Sequence, residues 1–481
     1  MGENVFLIAV DQGSSGTMSA LFDQNLRQVD CIDLPVSVTT PQSGWVEQDP
    51  WELLDSVKNG VIRLIERNPE CLKDLKGIGL ANQGESFLLW EAHTGLPITP
   101  VISWQDTRSE QYCGQLKKEG KEIWFHSKTG LHLSSEWPAL KIRELRRMDS
   151  ELDKKCKSGN VIFGQLDAWF LYTLTGGKVL ASDHSTACRT GFYNLKDQKW
   201  DSELIEFFKG DSLVFPELID NVCKIDGLDF GIGKNLSWLA GGLDQAVTLI
   251  GQGCVQKGEV KVTYGTCCAC WMNLGQELVM DENLTTSVAW KNQKNCTYAL
   301  AAEGGASGNI VTWLLRNFSP EWKLEDLSEI ARKHSDDQLI FVPAFQGLSA
   351  PYWKEAKGTI FGITPGTRPE HILAAGLDAI AYTIKDILEC MPKIDRLVLD
   401  GGMTANEYLM QKQADVLQRP VERSREREGT LMGIAYLCAM SLGLSYDMRE
   451  RINADIFVPN SSDKGYEQWK KAVNTVITYY E

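Results

Sequence analysis

Histidines, basic residues and long apolar segments are all scarce in this sequence. The six histidines are scattered and form no pair with the spacing of metal ligands. Lysine and arginine number 49 against 64 aspartates and glutamates, and the formal charge of −15 argues against nucleic acid or an anionic membrane surface as the main partner. No uninterrupted apolar run reaches membrane length, and the first segment has neither the basic start nor the cleavage-like site of a secretion signal. We therefore expect a cytoplasmic protein with no membrane partner.

Several familiar motifs are also missing. The sequence has no GxxxxGK[ST] loop and no HRD or DFG set, which excludes the P-loop and protein-kinase routes to nucleotide chemistry. Its 13 cysteines are odd in number and spread along a long chain, unlike a secreted disulfide framework. Cys267, Cys268 and Cys270 lie together in the strand-like run VTYGTCCACWM but lack a second ligand pair at zinc-finger spacing. A buried strand is the better interpretation of this cluster.

The sequence does contain one strand–turn–strand plan that occurs twice. VFLIAV, a glycine-rich turn and TMSALFD predict a hairpin, and EVKVTYGTCCACWMNLG repeats the plan around a Gly-Thr turn. Strands and amphipathic helices alternate after each hairpin, which predicts the α/β class. At 481 residues the chain is long enough for two large domains, which we expect at 1–246 and 247–481. No Pro/Ser-rich linker separates them, so we expect the halves to pack together and to hinge.

The first hairpin turn, in VDQGSSGT, has two interpretations. Glycine permits tight turns, and serine or threonine there often bonds only the local backbone. Alternatively, Gly13 and Gly16 let backbone N–H groups approach an anion, while Ser14 and Ser15 add hydroxyl donors and Asp11 is available to a metal ion. This loop alone does not decide between a plain turn and a phosphate site.

Two further glycine turns and one acid extend the phosphate-site interpretation. Gly265 begins the turn of the second hairpin, and Gly401 and Gly402 open a late strand-to-helix turn, so both could cradle phosphate or nucleoside. Asp244 follows a glycine pair and precedes an apolar helical run. That position suits a helix cap, and it also suits a general base that takes the proton from a hydroxyl during phosphoryl transfer. Both roles are compatible.

Nine short segments occur in one fixed order between about residue 5 and about residue 440. They are DQGSSGT, GWVEQDPWELL, GLANQGE, ISWQDTR, LDQA, TYGT, VPAFQGLSAPYW, GTIFGIT and LDGGMTANEYLMQ. As an ordered set they closely resemble the FGGY carbohydrate kinases, and among them the glycerol kinase branch most. The resemblance implies two actin-like, ribonuclease-H-type α/β domains with a cleft between them, which close on ATP and a polyol or sugar.

The resemblance also implies roles for the matching positions. Asp244 would be the catalytic base and, like Asp11, would lie at the magnesium ion. The positions implied in substrate binding are Gln83, Gly84, Glu85, Trp104, Glu136, Asp244 and Gln245. The positions implied in nucleotide binding are Gly13, Ser14, Ser15, Thr17, Gly265, Thr266, Gly308, Gly402, Met403 and Asn406. The implied cofactors are ATP and Mg²⁺, and relatives often form homodimers or homotetramers.

Three departures from the glycerol kinase pattern bear on the substrate. Gly84 stands where that branch has the arginine of NQRE, and Ala269 stands where it has a phenylalanine against the glycerol carbons. Glu136 stands about where a substrate-contacting tyrosine would be. The two smaller residues predict a wider pocket, and the added acid predicts contacts with more hydroxyls, through Glu136 or Asp106. We therefore expect a polyol or sugar longer than glycerol.

Two other departures bear on catalysis. Met18 stands where relatives usually have arginine or lysine near the transferred phosphate, and Cys267 replaces the glycine after TYGT. Because electrostatics carry most of phosphoryl transfer, these changes leave two alternatives open. One is a catalytically weak or inactive regulator that binds sugar or nucleotide, and the other is a phosphohydrolase on the same fold. Retention of Asp11 and Asp244 favours the kinase.

Overall fold

Each half of the chain builds one large mixed β-sheet with smaller sheets beside it. The computed structural model describes residues 5–305, 307–336, 338–345 and 347–481. Within these residues, no helix combines the length and the apolar character needed to cross a bilayer.

The first half alternates strands and helices. Its strands are β1 (Phe6–Gln12), β2 (Gly16–Phe22), β3 (Gln28–Pro35), β4 (Glu47–Gln48), β5 (Leu75–Asn82), β6 (Phe87–Glu91), β7 (Val101–Ile102), β8 (Val161–Gln165), β9 (Ala181–Asp183), β10 (Tyr193–Asn194), β11 (Lys199–Trp200), β12 (Glu217–Ile219), β13 (Val222–Leu228) and β14 (Leu236–Leu243). Its helices are α1 (Pro50–Arg67), α2 (Glu110–Lys118), α3 (Glu122–Thr129), α4 (Pro138–Met148), α5 (Ser150–Lys157), α6 (Leu166–Leu174), α7 (His184–Ala187), α8 (Ser202–Phe207) and α9 (Asp244–Gly251), with a 3₁₀ helix at Pro69–Lys73.

The second half continues the alternation. Its strands are β15 (Glu259–Tyr264), β16 (Cys268–Gly275), β17 (Thr285–Asn292), β18 (Asn295–Gly304), β19 (Ile340–Val342), β20 (Thr359–Phe361), β21 (Arg396–Asp400), β22 (Val421–Ser424) and β23 (Ala454–Phe457). Its helices are α10 (Gly308–Asn317), α11 (Leu327–His334), α12 (Pro369–Glu389), α13 (Glu407–Leu417), α14 (Gly429–Ser441), α15 (Met448–Arg451) and α16 (Gly465–Tyr480), with a 3₁₀ helix at Gly402–Ala405.

The first sheet brings three strand ends to one edge. Its order is β13-β14-β5-β1-β2-β3, in which β1 and β2 form the expected antiparallel hairpin and β1, β5 and β14 run parallel. In register, Asp11 lies beside Ala81, and Ala81 lies beside Gly242. Since parallel strands end at the same edge, the residues after β1, β5 and β14 converge there, where α/β folds commonly bind ligands.

The second sheet repeats the arrangement. Its order is β17-β18-β16-β15-β21-β22-β23, with β15 and β16 antiparallel and β15 and β21 parallel. Thr263 lies beside Asp400, so the turn that begins at Gly265 and the turn at Gly401 share one edge. The predicted internal repeat is therefore confirmed.

Burial follows the apolar pattern of the helices. Helix α1 begins after Asp49, whose carboxylate accepts a hydrogen bond from the Trp51 amide at 2.8 Å. Leu53, Val57 and Leu64 on its apolar stripe are fully buried. They belong to the cluster that fills the space beneath the first sheet.

The two halves interlock through α14. This helix belongs to the second half of the sequence, but it packs on β1, β5 and β14 of the first sheet and on α9. It approaches α9 so closely that a Cβ at Gly251 would collide with the Gly429 carbonyl, and one at Gly433 would collide with the Val247 carbonyl. The halves do pack together, while the predicted domain boundary at 246/247 stays a prediction.

Candidate functional site

The first sheet supplies a group of acids at the edge where its parallel strands end. Asp11 is near the end of β1, Glu85 follows β5, and Asp244 follows β14. The negative fields of Asp11 and Glu85 both raise the pKa of Asp244, so the three carboxylates are neighbours in space. Strand register thus explains why residues far apart in sequence meet here.

The turn of the first hairpin is held from three sides. The Gly13 amide donates to the Gly16 carbonyl at 2.9 Å. Ser14 Oγ accepts from the Trp104 indole at 2.8 Å, and the Ser14 carbonyl accepts from Gln48 Nε2 at 3.0 Å. Ser15 is exposed at the tip. Residues 13–15 are therefore fixed before any ligand binds, as an anion-binding turn requires.

Three residues predicted to contact a ligand have side chains that face the protein. Gln83 is 3% exposed, and its amide bonds Gln48 at 2.9 Å and Ser86 at 3.0 Å, so it positions the first turn from behind. Thr17 is fully buried, with its hydroxyl 2.6 Å from Ser56 Oγ on α1. Asp106 is fully buried in a two-pronged pair with Arg108 and is not available to substrate.

The two aspartates have strongly perturbed acidities. Burial raises the pKa of Asp11 to about 7, with a further rise from Glu428 and a partial reversal by a hydrogen bond from Thr430. Burial, reinforced by Asp11 and Glu85, raises the pKa of Asp244 to about 8. Carboxyl groups whose pKa lies this close to 7 can both take and release a proton near physiological pH.

Asp244 is the first residue of α9. Its carboxylate accepts a hydrogen bond from the Gln245 amide at 2.6 Å, so it occupies the helix start as well as the cleft. Lys261, fully buried on β15, donates to Gln245 Oε1 at 2.7 Å, and its positive charge opposes the rise in the pKa of Asp244. Asp244 therefore stands at the junction of the two sheets.

The residues around Asp11 suit a magnesium ion. Asp11 and Asp244 offer carboxylate oxygens, the hard ligands that Mg²⁺ prefers. The pKa of each acid is raised by burial and by like charge, which a divalent cation would relieve. Thr430, which also lies 2.9 Å from Thr248 Oγ1, and Glu428 border the same place. The composition of this group fits the predicted metal.

A second charged group extends from Glu85 across the cleft. Arg189 Nε donates to Glu85 at 2.6 Å, and Nη1 donates to Ser287 on β17 at 3.1 Å. Burial, with the charges of Glu303 and Glu85, raises the pKa of Glu136 to about 8, while Arg189 opposes the rise. Predicted residues Glu85 and Glu136 are thus brought together, with Arg189 and Glu303 beside them.

Trp104 closes one side of this group. Its indole N–H is used by Ser14, and its carbonyl accepts from Lys141 Nζ at 3.1 Å. Lys141 is fully buried, also donates to the Ser103 carbonyl at 2.6 Å, and has a pKa lowered by burial to about 7. The half-buried Trp104 ring therefore has a fixed position and an apolar face left for a ligand.

The turn of the second hairpin is held by backbone groups. The Gly265 amide donates to the Cys267 carbonyl at 3.0 Å. The amides of Gly308 and Asn309, at the start of α10, donate to the Gly265 and Thr266 carbonyls at 3.0 and 2.9 Å. A Cβ at Gly308 would lie 2.8 Å from the Gly265 oxygen and 3.7 Å from Met403 Cγ. Gly265, Gly308 and Met403, predicted to contact nucleotide, therefore meet.

The late glycine turn lies against the second hairpin. Gly401 has φ +91°, and a Cβ there would be 2.5 Å from the Tyr264 carbonyl oxygen, so only glycine fits. Gly402 has no atom within 4 Å of its Cβ position and leaves open space beside the turn. Asn406 Oδ1 accepts from the Leu409 amide at 2.9 Å and caps α13. Its predicted contact with adenosine stays a prediction.

The pocket is not widened at Gly84. A Cβ at this position would collide with Leu243, so a leucine side chain already occupies the space that a larger residue 84 would need. Ala269 is half-buried on β16, directly opposite Glu303 on β18. Ala269 is therefore the small residue that lies across the strand pair from Glu303.

The fold and the site can now be compared with known proteins. A model of the N-terminal domain of the FGGY family of carbohydrate kinases matches residues 6–251, and a model of its C-terminal domain matches residues 260–442. The chain belongs to the FGGY family. It is therefore a carbohydrate kinase, a phosphotransferase that acts on an alcohol group.

Relatives with curated names span the whole of this FGGY kinase. The chain is 34% identical to the glycerol kinase of Alkaliphilus metalliredigens over 98% of both chains. It is 36% identical to the glycerol kinase of Borreliella burgdorferi over 99% of both chains.

Solved structures confirm the two-domain actin-like fold of the FGGY kinase. The Plasmodium falciparum glycerol kinase with ADP matches with a TM-score of 0.89 at 28% identity over 99% of each chain. The gluconate kinase of Lactobacillus acidophilus matches with a TM-score of 0.90 at 20% identity over 99% of each chain, which shows the fold alone.

The sequence analysis missed several charged residues of the FGGY kinase. Arg189, Lys141 and Lys261 are isolated basic residues in apolar or mixed segments, and nothing in their spacing marks them. Glu303 did carry a signal, because it is one acid between small residues at the end of a strand, in LAAEGG. An acid in such a position is not needed for a buried sheet and indicates a cleft.

Proposed function

We propose that the chain transfers the γ-phosphoryl group of ATP to a hydroxyl of a polyol or sugar, with Asp244 as the general base. The observation that carries the proposal is the position of Asp244. It lies beside Asp11 and Glu85 of the first sheet, and within the field of Lys261 of the second sheet. A hydroxyl bound at Glu85 and a phosphate bound at the hairpin turns would both lie beside this carboxylate.

The two hairpins supply the nucleotide side. Amides at residues 13–15 and 265–266 surround the phosphates, and Gly308, Gly402, Met403 and Asn406 hold the adenosine. Support comes from the backbone contacts that bring Gly265, Gly308 and Met403 together, and from the 28% identical relative solved with ADP.

Asp11 and Asp244 hold Mg²⁺ in this proposal. The ion supplies charge neutralisation to the phosphates when it is bound. Thr430 orients Asp11 through a hydrogen bond, and Lys261 orients Gln245 beside Asp244.

Asp244 moves the proton. Its carboxylate accepts the proton of the acceptor hydroxyl as that oxygen forms its bond to the γ-phosphorus, and the bond from phosphorus to the oxygen of ADP breaks. Glu85, held by Arg189, accepts a hydrogen bond from a second hydroxyl, and the fixed ring of Trp104 covers the carbon chain. The acceptor is thereby oriented in line with the phosphate.

The acceptor is a polyol of the glycerol type or longer. Curated relatives at 34% and 36% identity are glycerol kinases, which makes glycerol the reference acceptor. Ala269 and Glu136 support a longer acceptor, whereas Leu243 occupies the space at Gly84. Any added length would therefore extend towards residues 136 and 269.

The test is ADP release coupled to NADH oxidation, with ATP, Mg²⁺ and a panel of polyols, ketoses and aldoses. Asp244→Asn should lower kcat by about 10²–10⁴-fold, because general base catalysis contributes that much, while ADP still binds. The matched control Asp211→Asn alters an exposed acid and should keep wild-type turnover. Wild-type turnover in Asp244→Asn would overturn the assignment of Asp244 as the base, and binding of sugar or nucleotide without turnover in the wild type would favour the regulator. ADP release that needs no acceptor would favour the phosphohydrolase.

A further inference from the structure

We propose that Glu303, with Glu136, selects the acceptor: the two carboxylates accept hydrogen bonds from hydroxyls beyond the part of the polyol held at Glu85 and Asp244. The inference rests on the proposed kinase function and names the substrate class of that site. The class is a neutral polyol or sugar of about four to six carbons, because an acceptor longer than glycerol carries the further hydroxyls that a second group of acids can bind.

The position of Glu303 follows from strand register. Glu303 on β18 pairs with Ala269 on β16, and Ala301 pairs with Trp271. Directly opposed residues share one face of an antiparallel pair, so all four side chains lie on the same face. The Arg189 guanidinium lies 5.9 Å from the Trp271 ring, which shows that this face looks towards the first half of the chain.

Charges from both halves meet around Glu303. The pKa of Glu303 is raised by burial and by Glu85 and lowered by Arg189 and Lys261, so these groups all lie near it. Glu303 in turn raises the pKa of Glu136. The group therefore spans the cleft from residues 85 and 136 on one side to residue 303 on the other.

Glu136 and Glu303 differ from Glu85 in their hydrogen bonds. Among the described residues, the carboxylates of Glu136 and Glu303 accept no hydrogen bond from the protein, whereas Glu85 is paired with Arg189 at 2.6 Å. Glu303 is solvent-accessible and Glu136 is half-buried. Two facing acids that repel each other lower stability, so their lone pairs are explained best by a ligand that donates to them.

Gly84 and Ala269 leave different amounts of space for an acceptor. Leu243 blocks growth on the side of Gly84, while the small Ala269 side chain leaves room next to Glu303. We therefore expect a chain that begins between Glu85 and Asp244 to lengthen along the face that carries Glu303. This geometry places a small residue and an acid of the cleft as cross-strand neighbours.

The charge balance favours a neutral acceptor over an aminated one. Arg189 and Lys141 already place two cations beside Glu85, Glu136 and Glu303. Hydroxyl donors then satisfy the group without an ammonium.

The experiment compares Glu303→Ala and Glu303→Gln with wild type on glycerol and on four-, five- and six-carbon polyols. Wild type should prefer one longer polyol to glycerol by at least about tenfold in kcat/KM. Glu303→Ala should lower kcat/KM for that polyol by about 10–100-fold, mainly through KM, and for glycerol by less than about threefold. Glu303→Gln should recover part of the loss. Glu321→Ala, at an exposed glutamate of the second half, is the matched control.

An equal loss on glycerol and on the longer polyol would overturn the inference, as would a wild-type preference for glycerol. Stronger turnover of a 2-amino polyol, dependent on Glu303, would also overturn it and show that the acids recognise charge. If wild type phosphorylates no acceptor, the proposed function fails. In that case, binding of the same polyols in the presence of ADP, measured by thermal shift in wild type and Glu303→Ala, tests the inference separately from the proposed function.

Discussion

The two glycine hairpins have the same strand plan but are held in different ways. Side chains from distant segments hold the first turn, since Trp104 and Gln48 bond Ser14 and Gln83 lies behind it. Among the hydrogen bonds described here, the second turn is held by amides at the start of α10 and by its own strand. One sheet geometry therefore supports a turn fixed by side chains and a turn fixed by the close approach of backbones.

The difference predicts different sensitivities. For the first turn, stability and kinetics should change little when the backbone is altered and should change clearly when a side-chain donor is lost. The second should respond mainly to any Cβ placed between its backbone segments.

Gly401→Ala should disturb the second turn most. The new Cβ would lie 2.5 Å from the Tyr264 carbonyl oxygen, and φ +91° disfavours alanine, so we expect about 2–4 kcal/mol of lost stability. Chemical denaturation measures the loss. The adjacent control Gly402→Ala has open space and should cost less than about 1 kcal/mol, although its ADP affinity should fall. Equal destabilisation by the two variants would contradict the contrast.

Trp104→Phe should disturb the first turn through a lost donor. The ring remains, but Ser14 loses the hydrogen bond of 2.8 Å, which is worth about 1 kcal/mol and so about fivefold to tenfold in kcat/KM. Steady-state kinetics with ATP as the varied substrate provide the readout. Trp124→Phe removes a surface indole bond to Glu203 and should leave kcat/KM at the wild-type value. A loss confined to acceptor KM would show that Trp104 touches the acceptor without fixing the turn.

Asp244 should make the first edge sensitive to pH. Its pKa is about 8 when folded and 3.8 as the ordinary value, so the unfolded chain releases this proton first. Stability should therefore fall as pH rises from about 4 to about 8. Asp244→Asn lacks this loss, and its melting temperature without metal should exceed wild type by about 3 °C at pH 8 but not at pH 5. A constant difference between the two pH values would contradict the raised pKa.

Cys267→Gly should have the smallest effect. The Cys267 side chain is exposed, and the turn uses its carbonyl oxygen, so removal of the thiol should change kcat/KM for ATP by less than about threefold. Kinetics under reducing conditions check this expectation. An increase of tenfold or more would instead mean that the cysteine crowds the phosphates, as its position after the Gly-Thr turn suggested.

The sequence predicted the parts of the site that follow from local pattern. Asp11 and Asp244 come directly at strand ends, and parallel register brings such ends together, so their meeting could be anticipated. The orientation of a side chain could not, because Thr17 and Gln83 sit one residue from cleft positions and face inward. Arg189 was beyond prediction, since its contacts lie 98 and 104 residues away in sequence.

The close contact of α9 and α14 has a mechanical consequence. Asp244 starts α9, and Thr430 near the start of α14 lies beside Asp11, so the proposed base and the proposed magnesium ligand lie at one joint of touching backbones. If the cleft opens, the turn at residues 13–15 stays with Asp11 because both belong to the β1–β2 hairpin, and the turns at Gly265 and Gly401 on the second sheet would move relative to it. The proposed phosphoryl transfer would then take place on the side of the cleft that keeps its geometry, and substrates would enter and leave through movement of the other side.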